Sequence, residues 1–449
     1  MSSKNIFPLD RPDILLVITT ATTGFGHVRV TQALHQALPP GTTATIIGLN
    51  DSSLSRIHAI TSRHVILRWI MELFQTQPLL EEIFTRAYRR FLAHYSQKTY
   101  NQLARLISEQ ETHPKTVVFV CTHFSLAHQI SAVKTRLESQ FSLKIILAVI
   151  VTDDTLQKIW AVPGADYTFV PSPTTQKLVS SYLKKLTSHP PEVIVSPYPL
   201  APSLNLPLTP AEFTSRCLQV DPQNPEPTRL IIPISGAAVQ MSYFKDLISH
   251  LINYDPRILI TVISRSSPVT ADFLAFCRHT PRVEVMAHAH DPTVVDLYEK
   301  AYSGNVFSLE ITKPSEQAFK GIIPPRHRGG SLLLFSDPVG DQEDDNLNFL
   351  YRHQLLPNPQ DESVLESLYS GEVTTVPREF LDHASRWRGL RLPVGSGKKA
   401  AEAILTLRSL GIFHSMMNFS SYLPHSELRG DGATLFWHTL SRLIFSRVT

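Results

Sequence analysis

Short uninterrupted apolar runs alternate along this chain with stretches of helical spacing. The first half places such runs at Ile14–Thr19, 43–48, Thr116–Cys121, 144–152 and Tyr167–Val170. Apolar runs without polar alternation, bounded by turn residues, predict strands buried on both faces. Between them, residues 28–38 set Val30, Ala33, Leu34, Ala37 and Leu38 on one helical face, and a longer helical stretch covers about 62–109. The rhythm breaks at 186–228, where prolines from Pro190 to Pro227 crowd together. It then restarts, with strands expected at 230–234, 258–264, 283–286, 306–311 and 331–335, a helix running to about 253 and another at 400–410. Strand and helix in alternation predict doubly wound parallel sheets. The expected organisation is two Rossmann-like α/β domains with a cleft between them: 1–190, a proline-rich linker 191–228, and 229–410. A helical tail at 411–449, carrying Phe413, Met416, Met417, Phe419, Phe436, Trp437 and Phe445, is expected to pack back on the domains.

Composition narrows this picture. At 449 residues the chain exceeds one ordinary core, and 43% hydrophobic with 18% charged residues is a globular balance. The 42 basic and 39 acidic residues leave a net charge of +3, which does not point to nucleic acid. Cys121, Cys217 and Cys277 lie far apart with no CxxC pair, so neither a metal site nor a disulfide framework is expected, and a reducing, cytoplasmic setting fits. The first dozen residues are polar, without the apolar core of a signal peptide, and no apolar run is long enough to span a membrane.

Chemistry gathers at the strand ends. Ile14–Thr19 runs into Thr22-Thr23-Gly24-Phe25-Gly26-His27 and then into a helix. Gly24 and Gly26 there form either a tight turn or a loop whose N–H groups meet an anion. Thr116–Cys121 ends in Thr122-His123, and 144–152 ends in Asp153-Asp154. The functional edge of a parallel sheet lies at the carboxyl ends of its strands, so His27, His123 and Asp153 converge there. In the second half, Glu310-Ile311-Thr312-Lys313-Pro314 leads into a helix start with Ser315 as a candidate cap, followed by Glu316. The segment 337–346 brings Gln342, Glu343 and Asn346, whose paired donors and acceptors suit sugar hydroxyls; the alternative is an acidic capped loop.

The order of these motifs over 12–410 resembles the GT-B glycosyltransferases that include monogalactosyldiacylglycerol synthase, the bacterial processive diacylglycerol glucosyltransferases and the glycosyltransferase that makes lipid II. Thr22–His27 resembles their glycine-rich loop ending in histidine, and Val151-Thr152-Asp153 resembles their Val-Thr-Asp. Trp160, Pro163-Gly164-Ala165-Asp166 and Val170-Pro171-Ser172 resemble the next stretch of that family. Lys313-Pro314, Ser315-Glu316-x-Ala318-x-Lys320-Gly321 and Gln342-Glu343-x-Asp345-Asn346 resemble the donor half. The resemblance implies inverting transfer of a hexose from a nucleotide diphosphate sugar, UDP-linked, to a lipid hydroxyl, with no cofactor. Glu316 would hold the donor ribose, Gln342 and Asn346 the donor sugar, and His27 would face the phosphates. Asp153, or His123, would be the acceptor base.

Two features depart from the family. Pro314 runs directly into Ser315 where relatives carry Gly-Gly-x-Thr, and Ser235-Gly236-Ala237-Ala238 is poorer in glycine than the usual domain opening. They keep two other readings open: a GT-B scaffold that transfers nothing, and a nucleotide-sugar epimerase. The segment 63–107 carries an apolar stripe with Arg86, Arg89, Arg90, His94 and Lys98 beside it. It reads either as a core helix pair or as an amphipathic element facing an anionic membrane on its cytoplasmic side.

Overall fold

The computed structural model describes residues 8–21, 24–49, 78–155, 157–223, 226–236, 238–420 and 425–448. Thr22, Thr23, Ala237 and the 63–77 part of the amphipathic segment lie outside them. The chain divides into two units, residues 1–201 with 431–449, and 202–430.

The first unit is built on β1 (Ile14–Thr19), β2 (Thr45–Ile47), β3 (Thr116–Cys121), β4 (Lys144–Ile150), β5 (Tyr167–Val170) and β6 (Glu192–Val195). They form one sheet in the order β2-β1-β3-β4-β5-β6 with every pairing parallel. β1 and β3 run in step from Ile14 opposite Thr116 to Thr19 opposite Cys121. Connections from β1 lead to opposite sides of the strand, so the sheet's switch point lies between the ends of β1 and β3. Val17, Phe119, Ile145, Leu147 and Val149 fill the core beneath the helices.

The second unit repeats the design with β7 (Thr228–Pro233), β8 (Ile258–Arg265), β9 (Val283–His288), β10 (Leu309–Thr312), β11 (Leu332–Phe335) and β12 (Gly389–Arg391). Their order is β12-β11-β10-β7-β8-β9, again all parallel, so the switch point lies between β7 and β10. The apolar runs therefore form strands where the pattern places them, within a residue or three at the ends.

Two short strands, β6 and β12, escape the pattern. β6 sits inside the proline-dense stretch, which is not a bare linker. Thr209 and Glu212 make a reciprocal capping box, and Pro210 occupies the first turn of the Pro210–Leu218 helix, where its missing N–H costs nothing. The C-terminal stretch divides between the units. Ile412, Phe413, Met416 and Met417 join the core of the second. The Gly432–Val448 helix belongs to the first, where Trp437 Nε1 donates to Leu34 O at 2.8 Å and Phe436 meets Phe169 edge-on. Phe445 is exposed.

In the second unit the start of the Gly397–Ser409 helix lies directly on the Met241–Tyr254 helix. Lys398 N donates to Asp246 Oδ2 at 2.8 Å, and a Cβ at Gly397 would fall 2.4 Å from both Leu247 N and Tyr243 O. Backbone atoms cannot give way as a flexible side chain does. Gly397→Ala is therefore expected to lower the stability of this unit by about 1–3 kcal/mol. Chemical denaturation checks this; an unchanged midpoint would show that the two helices have slack.

Candidate active site

The side chains at the β1/β3 switch point are brought into contact. His27 lies in the first turn of the Phe25–Gln36 helix, whose N-cap Gly24 is extended and makes no side-chain cap. Among the described residues a Cβ at Gly24 would meet nothing within 4 Å, so their packing does not demand this glycine. Gly26 lies in the same first turn. Below the helix, Thr31 Oγ1 bonds to His27 O at 2.8 Å and to Thr122 Oγ1 at 2.8 Å, which ties the helix to the end of β3.

The His27 ring meets His123 edge-on at 4.7 Å and Trp160 at 5.9 Å. Its Nδ1 lies 3.2 Å from Thr152 Oγ1, and that hydroxyl lies 3.5 Å from Asp153 Oδ2. If the hydroxyl donates to the carboxylate, it accepts from His27 Nδ1–H, and the lone pair of the imidazole then sits on Nε2.

His123 caps the Phe124–Phe141 helix, its Nδ1 accepting from Ser125 N at 3.2 Å. A neutral ring that accepts at Nδ1 carries its proton on Nε2, so His123 presents a donor there. The two adjacent aspartates divide their work. Asp154 is buried and accepts from Ser172 Oγ at 2.5 Å and Thr175 Oγ1 at 2.6 Å, fastening the end of β4 to the Pro173–Leu186 helix. Asp153 is half-buried at the edge. Thr152 and Trp160 are the members of this cluster that sequence reasoning did not single out as site residues.

In the second unit Gly236 follows β7, Lys313 and Ser315 follow β10, and Glu316 opens a 3₁₀ turn. Gln342, Glu343 and Asn346 lie not on a loop but in the first turns of the Asp341–Arg352 helix after β11. Ser315 precedes a 3₁₀ turn, Glu316–Ile322, and makes no side-chain cap, which corrects the expected capped helix. Ile322-Ile323-Pro324-Pro325 ends the turn, because a residue before proline avoids helical geometry.

Glu343 and Asn346 bond first to their own unit. The Glu343 carboxylate pairs with Lys313 Nζ and accepts from Val339 N at 2.7 Å; burial pushes its pKa up against those two contacts. Asn346 Nδ2 donates to Pro314 O at 3.4 Å. Glu316 and Gln342 are half-buried. Near the end of β7, Ala238 and Gln240 adopt left-handed φ of 48° and 61°. Such conformations cost a non-glycine residue about 1–2 kcal/mol. Gln240 is held there by Ser336 Oγ, which donates to its Oε1 at 2.8 Å, and by its own bond to Asp337 O at 3.0 Å. Arg265, at the end of β8, reaches Asp291 and Gly236 O.

The 3₁₀ turn is anchored by buried charge. Lys320 is 1% exposed and pairs with Glu310 of β10, and it also donates to Tyr302 OH at 2.8 Å. Tyr298 and Tyr302 donate to the same Glu310 oxygen at 2.8 and 2.5 Å. Burial and this carboxylate raise the Tyr302 pKa well above that of an ordinary phenol.

The described part of 63–107 forms two helices, Pro78–His94 and Gln97–Ser108. Packing splits the apolar stripe. Leu92 is buried, while Ile83 is 64%, Phe91 41% and Tyr95 58% exposed. Arg86, Arg90, His94 and Lys98 are exposed beside them. Arg89 departs from the expectation that it faces outward. It donates to Lys158 O at 2.6 Å and lies over the Tyr182 ring, and burial lowers its pKa.

Residues 27–181 match the family model of monogalactosyldiacylglycerol (MGDG) synthase. The match spans His27, His123 and Asp153 and ends before the second unit. Among solved structures, a Listeria monocytogenes protein provisionally assigned as a UDP-N-acetylglucosamine 2-epimerase superposes with a TM-score of 0.50. It is 11% identical, over 96% of this chain and 97% of its own. Arabidopsis thaliana UGT89C1, solved with UDP-L-rhamnose, superposes at 0.46 and 13% identity over 96% and 98%. No curated protein sequence matches the chain. Two all-parallel six-stranded sheets and this likeness make the fold GT-B. No described helix is long and apolar enough to cross a membrane.

One histidine of the first unit is structural. His128 is buried and its Nε2 donates to Ile159 O at 2.8 Å; burial pulls its pKa down from 6.5 to about 4. Below pH 6.5 the unfolded chain takes up a proton that the folded unit refuses. Stability is therefore expected to fall between pH 6.5 and 4, by up to about 3 kcal/mol. Denaturant unfolding of His128→Gln across that range should show a flatter pH dependence; an unaltered slope would remove His128 as its cause.

Proposed function

We propose that this chain is an inverting glycosyltransferase that moves a hexosyl group from a UDP-linked sugar to a hydroxyl of a lipid such as diacylglycerol. The observation that carries the reading is the His27–Thr152–Asp153 contact at the switch point of the unit that matches the MGDG synthase family. The family match supports the glycosyltransferase class; the lipid acceptor and the hexose are our inference from it.

In this mechanism the acceptor hydroxyl gives its proton to His27 Nε2 as its oxygen bonds to the anomeric carbon. Asp153, through Thr152, supports the imidazolium that forms. The bond from that carbon to the diphosphate oxygen breaks on the opposite face, and UDP leaves with the bonding pair. His123 contributes a donor at Nε2 rather than a second base. The start of the Phe25–Gln36 helix, with Gly24 as its N-cap and Gly26, offers N–H groups for negative charge. On the donor side we assign Glu316 to the ribose and Gln342 and Asn346 to the sugar, with Gly236, Lys313, Ser315 and Glu343 shaping the phosphate edge. Lys313, held by Glu343, supplies the fixed cation.

A second reading, a scaffold that binds without transferring, draws on the short Pro314–Ser315 connection and on the side chains at Ala238 and Gln240. Calorimetry with UDP separates the two: the transferase binds UDP, and a silent titration at millimolar UDP favours the scaffold.

Glu316→Ala is expected to lower UDP affinity at least tenfold with the circular dichroism spectrum unchanged, and equal affinity would sink the donor assignment. Asp153→Asn is expected to lower kcat by about 10²- to 10⁴-fold with UDP affinity preserved. A product-mass assay with mixed lipid acceptors and UDP-hexoses reads both the loss and the acceptor. Retention of full activity in Asp153→Asn would exclude it from the proton pathway.

The exposed row of Ile83, Phe91 and Tyr95 with its flanking cations is, in this reading, the surface that meets an anionic membrane. Wild-type protein should sediment with phosphatidylglycerol vesicles, less so as salt rises, and Ile83→Glu/Phe91→Glu should remain in the supernatant. Equal partitioning of wild type and variant would rule out this face.

A further inference from the structure

A group of ligand-type side chains in the second unit stands apart from every residue assigned above. The Asp341–Arg352 helix, 12 residues and so about 18 Å long, carries Gln342 at its start and is followed at its other end by His353. The His353 ring is wedged between Phe349, with centroids 4.7 Å apart, and His425, at 4.9 Å. Its side chain is only 5% exposed. Glu427 Oε1 lies 2.8 Å from His353 Nε2, but among the described residues neither ring nitrogen completes a hydrogen bond. A buried imidazole in that position is costly unless something else takes the lone pair. One nitrogen from each histidine and one Glu427 oxygen lie within 4.8 Å of one another.

We propose that His353, His425 and Glu427 bind a divalent transition metal, zinc by donor set. Two imidazoles and one carboxylate form a borderline set that suits zinc better than calcium or magnesium, which take oxygen ligands. Zinc sits about 2.0–2.2 Å from such atoms, and the exposed ring of His425 can rotate to close the remaining gap. Three protein ligands leave a fourth position for water. The partial negative charge at the C-terminal end of the Asp341–Arg352 helix also favours a cation there. The ion joins that helix end to the segment just before Gly430, the last residue of the second unit. It acts as a clip, independent of the transfer reading.

The competing account is a plain His353–Glu427 ion pair, and His425 separates the two. The full chain is stripped with a chelator, dialysed, and titrated with Zn²⁺ and separately with Co²⁺. Retention is read by elemental mass spectrometry, coordination by the visible spectrum of Co²⁺, and stability by thermal melting. We expect wild-type protein to retain one equivalent, to give the intense bands of four-coordinate cobalt, and to melt higher with metal. His425→Ala, an exposed change, should leave the metal-free melting temperature in place and abolish all three; Glu427→Gln should also lose the metal. Equal retention by wild type and His425→Ala, or none by wild type, overturns the site.

Discussion

A buried ammonium organises the second unit of this protein. Lys320 cannot sit in the interior of the second unit without an opposite charge and further acceptors, because an unpaired ion there costs several kcal/mol. Glu310 on β10 supplies the charge, and Tyr302 supplies the second oxygen. Satisfying Lys320 pulls the turn that bears it down onto the sheet, and this sets where Glu316 begins. Two more buried cations hold the segment beyond that turn. Arg216 donates to the carbonyls of Pro325, His327 and Arg328, and Arg388 to those of Ile323, Gly330 and Ser331. A planar guanidinium fork can gather several carbonyls in a way a lysine cannot. The loop after the turn is thus held by side chains from distant elements together with backbone bonds such as His327 N to Pro324 O and Gly329 N to Leu204 O.

The first unit orders its strand ends chiefly through hydroxyl, amide and imidazole donors and acceptors, with one carboxylate among them. Thr31 and Thr122 join helix to strand beneath His27, Ser125 N orients His123, and Asp154 takes two hydroxyls so that Asp153 can remain at the edge. None of these bonds is strong alone, each contributing on the order of 1 kcal/mol. Their effect is on orientation: they leave two imidazoles in edge-to-face contact beside a buried tryptophan.

Much of the architecture was legible because a parallel sheet is buried on both faces, so its strands read as unbroken apolar runs. The same geometry puts chemistry at the strand ends, which is why His27, His123 and Asp153 could be grouped before their contacts were known. What escaped was of two kinds. Short elements such as β6 and β12 carry too few residues for any period to show, and β6 is further disguised by prolines that in fact sit in a helix start and in extended connections. The partners of the site residues also escaped. That Thr152 lies against His27, that Gln240 joins two loops, and that Lys320 turns inward to Glu310 are facts of tertiary packing between residues up to 125 positions apart. The Pro78–His94 helix shows the limit most plainly. Its doubled apolar positions, 83/84, 87/88 and 91/92, allow either member to be buried, and only the packing chose to leave Ile83 and Phe91 outside.

The two switch points solve one problem in opposite ways. At the first, Gly24 stands where no neighbour among the described residues requires a glycine. At the second, positions that a glycine would occupy without strain hold Ala238 and Gln240 at positive φ, and the strain is offset by the bonds of Gln240 to Ser336 and Asp337. A glycine-rich loop gains close backbone approach at the expense of ordering entropy on each binding event. A loop cross-linked by side chains has met that entropy in folding, and it gives up part of the backbone surface in exchange. Shortening the connection at Pro314–Ser315, with Asn346 fastened to Pro314 O, carries the same exchange further. The edge of the second unit that carries Lys313, Glu316 and Gln342 is therefore lined and cross-linked by side chains.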